Sequence, residues 1–121
     1  MITTINVGGD LLKQVDELVE TEGYKSRSDV FRTGLKELLD SKREQLSGDT
    51  KCVLILSHRK EKESNLNRVK HGYEELVETQ IHTHLGDKLC TELFVLSGDG
   101  ARINDLVKDF RKNGAEKIVL I

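Results

Sequence analysis

Hydrophobic and polar positions change period several times along the chain. Residues 2–7 alternate, with Ile5 and Val7 on one side and Thr4 and Asn6 on the other, which predicts a short strand. Gly8-Gly9 breaks it, and Asp10 is the expected N-cap of a helix. Leu11, Leu12, Val15, Leu18 and Val19 recur there at helical spacing, and Gly23 closes the helix as a C-cap. Ser26-Arg27-Ser28-Asp29 has the Ser-x-x-acid form of a capping box. It opens a second helix with an apolar stripe of Val30, Phe31, Leu35, Leu38 and Leu39 and a charged stretch, Ser41 to Glu44, near its end. Ser47-Gly48-Asp49-Thr50 reads as a linker.

A lone strand cannot satisfy its backbone groups, and two apolar helix stripes exceed what one copy can cover. Pairing two copies answers both demands, with the strands forming an antiparallel ribbon. The expectation for residues 1–46 is an obligate dimer.

Residues 51–121 read as strand–helix–strand–strand–helix–strand. Cys52 to Ser57 is a continuous apolar run typical of a buried strand. Ser64 to Lys70 carries Leu66 and Val69 on one helical face, with Gly72 as C-cap just after His71. Leu76 to Leu85, the turn Gly86-Asp87-Lys88 and Leu89 to Ser97 form a hairpin. Asp99 caps a helix bearing Ile103, Leu106, Val107 and Phe110, which Gly114 ends, and Lys117 to Ile121 is a last strand. The order βαββαβ is the ferredoxin-like split arrangement, so the chain is α+β with two domains, 1–46 and 51–121.

The 121 residues suit one domain or two small ones. Aromatic residues are 4% with no Trp, which argues against single-strand binders built on stacking platforms. The net charge of −2 does not announce a nucleic-acid binder either. No apolar run approaches the roughly 20 residues of a membrane span. The start lacks the marks of a signal peptide, and the expected address is cytoplasmic. Cys52 and Cys90 are then expected as thiols rather than a disulfide.

His71, His82, His84 and Cys90 cluster late in the chain. His82 and His84 lie two apart on one strand and so share a face. A three-residue turn places Cys90 opposite His84, which brings two imidazoles and a thiolate together. His71 can supply a fourth ligand from the same chain or a neighbouring one. Such donors suit zinc, nickel(II) or copper(II), and cobalt(II) is a further candidate. The competing reading is a solvated strand face with Cys90 as a small core residue. Glu92 shares the parity of Cys90 and either orients a ligand or faces solvent. His58 falls outside the spacing and reads as a surface residue.

The two modules and this cluster together resemble the nickel-responsive transcriptional regulator family (NikR type) over nearly the whole chain. Asp10-Leu11-Leu12 through Glu17-Leu18, then Gly23-Tyr24 and Arg27-Ser28-Asp29, resemble its ribbon-helix-helix DNA-binding domain. The eleven-residue step from His71 to His82, the His82-Thr83-His84 pair and the six-residue step to Cys90 match its ligand spacing. The resemblance implies an ACT-like second domain and a homotetramer, a dimer of dimers. It also implies a square-planar nickel site with His82, His84 and Cys90 from one subunit and His71 from another, and Glu92 matches a supporting position. Ile2 departs from the polar or basic residue common at its position, and the stretch before His71 is shorter than in familiar members.

The resemblance further implies that the paired strands read a double-stranded operator in the major groove through outward Ile2, Thr4 and Asn6. The start of the second helix, with Lys25, Arg27 and Ser28, suits a phosphate. The leading expectation is a metal-responsive DNA-binding repressor of metal-uptake genes, not an enzyme. Its rivals are a ribbon-helix-helix regulator sensing a small organic ligand through the ACT-like domain, and an antitoxin-type protein that binds a protein partner.

Overall fold

The structure is a computed structural model and describes residues 2–40 and 45–121. The chain divides into two compact units, Met1–Arg43 and Glu44–Ile121.

In the first unit, α1 (Gly9–Glu22) and α2 (Arg27–Asp40) follow a segment, residues 2–7, that belongs to no helix or strand. The strand expected at residues 2–7 forms no ladder, because a single chain offers it no partner. Its alternation survives: Thr3, Ile5 and Val7 line one hollow with Ser28 and Phe31. The N-cap of α1 is Gly8 rather than Asp10, which sits within the first turn. There its carboxylate still favours the positive end of the helix dipole. Gly23 ends α1 at φ 79°, where a side chain would strain. The capping box forms at α2: Asp29 N–H donates to Ser26 Oγ (3.2 Å), and Lys25 N–H donates to Asp29 Oδ2 (2.9 Å). Val15 is buried, but Phe31, Leu35, Leu38 and Leu39 are exposed in the single chain. The charged stretch 41–44 lies outside the described residues.

The second unit runs β1 (Asp49–Arg59), α3 (Glu63–His71), β2 (Val77–Leu85), β3 (Leu89–Asp99), α4 (Gly100–Lys112) and β4 (Ala115–Leu120). Single 3-10 turns at Lys60–Lys62 and Glu74–Leu76 flank α3. All pairings are antiparallel, in the order β2-β3-β1-β4. The expected linker is shorter than its composition suggests, since Asp49 and Thr50 already pair with Asp99 and Gly98.

Alternation builds the core. β1 buries Leu54, Leu56 and His58 at every second position, and β3 does so with Cys90, Glu92, Phe94 and Leu96. Leu66 of α3 and Ile103, Leu106, Val107 and Phe110 of α4 pack against the apolar members of these rows. Asp99 caps α4 by accepting from Ala101 N–H (3.1 Å). The rows therefore run from an apolar middle to a polar end, where His58, Cys90 and Glu92 lie.

Candidate metal centre and nucleic-acid interface

Register brings the cluster together. The turn Gly86-Asp87-Lys88, with Gly86 at φ 74°, closes the hairpin so that His84 faces Cys90 and His82 faces Glu92. Directly opposed residues point to the same side of a sheet. One donor atom each from His82, His84 and Cys90 lies within 4.8 Å of the others, and Cys90 Sγ is 3.4 Å from His84 Nδ1. Burial pushes the Cys90 thiol up, Glu63 and Glu92 push it further, and Lys60 opposes them. Metal binding needs the thiolate, so loading this site releases a proton.

Two imidazoles and a sulfur suit a late divalent metal. His82 fits that use in a further way: its Nε2 is buried and has no hydrogen-bond partner among the described residues. A buried polar atom without a partner is costly, and a metal would satisfy it. His71 is not brought to the cluster within the chain. It stands exposed at the end of α3, with Nδ1 2.6 Å from Glu74 Oε1.

Glu92 is buried beside this cluster. Its Oε1 accepts from Gln80 Nε2 (2.8 Å) and lies 3.4 Å from His82 Nδ1; its Oε2 lies 2.8 Å from His58 Nε2. Gln80 Oε1 in turn accepts from Lys70 Nζ (2.9 Å), in the last turn of α3. His58 is fully buried, not a surface residue, because β1 runs on to Arg59 and His58 keeps the parity of Leu54 and Leu56. It faces Cys90 across the ladder. The Arg59 carbonyl can only accept, so His58 Nδ1 (2.9 Å away) donates to it, and a second proton lies between His58 Nε2 and Glu92. His58 and Gln80 escaped sequence reasoning, although the parity of His58 with Leu54 and Leu56 was the available signal.

The expected DNA-facing residues lie in the first unit. Thr4 and Asn6 are exposed and absent from the hollow lined by Thr3, Ile5 and Val7, whereas Ser28 lines that hollow. Lys25 is exposed. Arg27 is held by Asp16 through two bonds of 2.8 and 3.0 Å, and this partner keeps the Asp16 carboxyl below its ordinary range. The first amides of α2 have no intrahelical acceptor, as at any helix start.

Two family models match the chain. The NikR C terminal nickel binding domain matches residues 53–115, and the ribbon-helix-helix protein, copG family, matches residues 1–42. Several relatives are provisionally named nickel-responsive regulators. One from Pseudomonas putida is 33% identical over 112 residues, which cover 85% of this chain and 78% of the relative. One from Methanococcus maripaludis is 31% identical over 108 residues, covering 85% and 77%. One from Methanosarcina acetivorans is 32% identical over 111 residues, covering 86% and 78%. An uncharacterized protein of Thermotoga maritima shares the fold at 14% identity, with a TM-score of 0.55 over 61% of this chain and 96% of that one. With a family model over more than half its length and relatives above 30% identity, the chain belongs to the NikR-type family of nickel-responsive regulators.

Proposed function

We propose that the chain is a nickel-dependent DNA-binding repressor of metal-uptake genes, with residues 1–46 as the DNA-binding domain and 51–121 as the metal-binding and tetramerisation domain. The observation that carries this reading is the convergence of His82, His84 and Cys90 around a buried, unpartnered imidazole nitrogen. His71 of a neighbouring copy supplies the fourth donor, consistent with its exposure and its distance from the cluster in its own chain. Nickel is the metal expected of this family, and copper, cobalt and zinc are the competitors that the same donors could hold.

Two exposed apolar surfaces support a homotetramer. The exposed stripe of α2 calls for a partner copy, as does the unpaired segment at 2–7. The sheet face opposite the helices exposes Ile81, Leu85 and Val119. In the paired ribbon Thr4 and Asn6 read base edges, since Asn can bond adenine bidentately. The amides at the start of α2 and Lys25 hold a phosphate, with Ser28 beside them. Arg27 joins them only by leaving Asp16. When bound, the metal ties subunits together, and it acts on DNA affinity only through its different affinity for DNA-competent and incompetent arrangements.

The test is operator binding at stated salt, on duplexes selected from a random library with nickel-loaded protein. Nickel should stimulate binding by the native chain and not by His71→Ala, His82→Ala or Cys90→Ala, with the oligomer intact in each. Unchanged stimulation in His82→Ala and Cys90→Ala would refute the assigned site.

A further inference from the structure

The chain that enters the second unit is held before its first strand begins. Leu46, Ser47 and Gly48 belong to no helix or strand, yet the start of α4 holds all three. The Asn104 side chain bonds both backbone groups of Leu46: its Oδ1 accepts from Leu46 N–H (3.3 Å) and its Nδ2 donates to the Leu46 carbonyl (2.9 Å). One turn earlier, Gly100 N–H donates to the Gly48 carbonyl (2.8 Å). Gly100 also has no side chain to hold the segment off, since a Cβ there would meet Ser47 N at 2.6 Å and the Leu46 carbonyl carbon at 2.8 Å. The Leu46 side chain packs against the apolar core. An amide that pairs with the donor and the acceptor of one residue acts as a ladder partner would, and so fixes that residue in place. This clamp is remote from the metal donors. Asp99 ends β3 and caps α4, whereas Cys90 stands near the other end of the same strand, about 30 Å away at about 3.3 Å per residue.

We propose that Asn104 and Gly100 set the length of the tether between the two units by fixing its end at Leu46. Residues 41–45 are then all that separates Asp40, the end of α2, from the clamp. The stretch from Asp40 to Leu46 reaches at most about 22 Å, against about 32 Å from Asp40 to Asp49 with the clamp open. The consequence for DNA rests on the proposed function, and the clamp itself does not. A short tether limits how far a DNA-binding ribbon can stand from the metal-binding core, which raises the effective concentration of a second ribbon once the first has bound.

The experiment uses the full chain with eight-residue Gly/Ser insertions at two places, between Gln45 and Leu46 and between Ser47 and Gly48, each in the native and the Asn104→Ala background. Amide hydrogen exchange reads the clamp whether or not DNA binds. Leu46 N–H should be protected in the native chain and should exchange about tenfold faster or more in Asn104→Ala. An unprotected Leu46 in the native chain, or one equally protected in Asn104→Ala, would overturn the clamp. Operator affinity of the nickel-loaded protein reads the consequence. The insertion before Leu46 lengthens the tether from five residues to thirteen and should weaken binding about fourfold, as the −3/2 power of length requires, whereas the insertion behind the clamp should leave it within about 1.5-fold. In Asn104→Ala the two insertions should act alike. Equal effects of the two in the native background would overturn the tether role. Nickel affinity should stay within about twofold in all of these proteins, because the clamp is far from the donors. DNA binding by the native chain that ignores nickel would refute the proposed function instead, and the insertions are then compared on that nickel-independent binding.

Discussion

Glu92→Ala removes the acceptor on which the polar end of the core depends. In the native chain His58 and Glu92 are at most 2% exposed, and one proton between them closes a 2.8 Å contact. The alanine variant leaves His58 Nε2 and Gln80 Nε2 buried or half-buried without their two acceptor oxygens, and removes two carbons from the core as well. Breaking one partner of a buried pair costs about 3–5 kcal/mol, because the group left behind is uncompensated. For a domain of this size that is a fall in Tm on the order of 12 °C or more. Glu92→Gln keeps an oxygen for Gln80 and offers His58 an amide N–H, so its cost should stay near 1 kcal/mol. The double variant His58→Leu/Glu92→Leu carries neither polar group and should recover much of the loss. Chemical denaturation of the four proteins, followed by circular dichroism, gives the comparison. Glu92→Ala within about 1 kcal/mol of native would show that the pair is not held as described. A double variant no more stable than Glu92→Ala would refute the idea that an orphaned partner is the source of the cost. Nickel affinity should fall by about 10–100-fold in both Glu92→Ala and the double variant, because each frees the His82 ring that Glu92 faces.

Tyr73 is buried and donates to Asp109, and burial first, then Asp109, pushes its hydroxyl up to about 12. A folded-state value above the unfolded value of 10.0 stabilises the fold fully below pH 10 and loses that contribution as pH rises towards 12. Denaturation between pH 9 and 12 should show this loss in the native chain and not in Tyr73→Phe (window from the unfolded phenol near 10). Gly100→Ala should destabilise by about 1–3 kcal/mol despite the helix propensity of alanine, since the new Cβ would meet Ser47 N at 2.6 Å and the Leu46 carbonyl carbon at 2.8 Å; a thermal melt equal to native would contradict the contact. Non-specific duplex binding at physiological salt should be no tighter than about 10⁻⁴–10⁻⁶ M, and a much tighter value by fluorescence anisotropy would contradict the proposed DNA face.

The second unit was legible because its burial is periodic: the order of its elements and the facing of His84 and Cys90 follow from strand parity and turn length alone. What parity could not give was the end of β1. An apolar run that stops at Ser57 suggests a strand that stops there, yet pairing with β3 carries it to Arg59 and turns His58 inward. The surroundings of Glu92 were hidden for a related reason: Gln80 reaches it diagonally across the β2–β3 ladder, and Gln80 is itself fixed by Lys70, which only the docking of α3 on the sheet brings there. In the first unit both helices and the capping box were readable, because those signals are local. The strand at 2–7 was not realised, because a lone strand has no ladder partner within one chain. His71 is comparable at the candidate metal centre: its step to His82 singled it out, and its own chain leaves it exposed and outside the cluster.

Charge then constrains how the first unit can use DNA. Residues 1–50 carry seven basic and ten acidic side chains, against twelve and eleven in residues 51–121, so the proposed reader is the more acidic part. Its acids are not evenly spread: residues 1–9 contain none, and the first, Asp10, lies inside the first turn of α1. Asp16 on the next turns is already matched by Arg27. Of the residues placed at the start of α2, what remains for a phosphate is Lys25 and the amides of Arg27 and Ser28, a short list that cannot hold a duplex by counterion release alone. Under the proposed function, affinity has to come from several ribbons and helix starts engaging in register, which makes it depend on how the subunits are arranged. A sparse cationic face is therefore suited to control by a metal that joins subunits, because little binding survives when the arrangement is wrong.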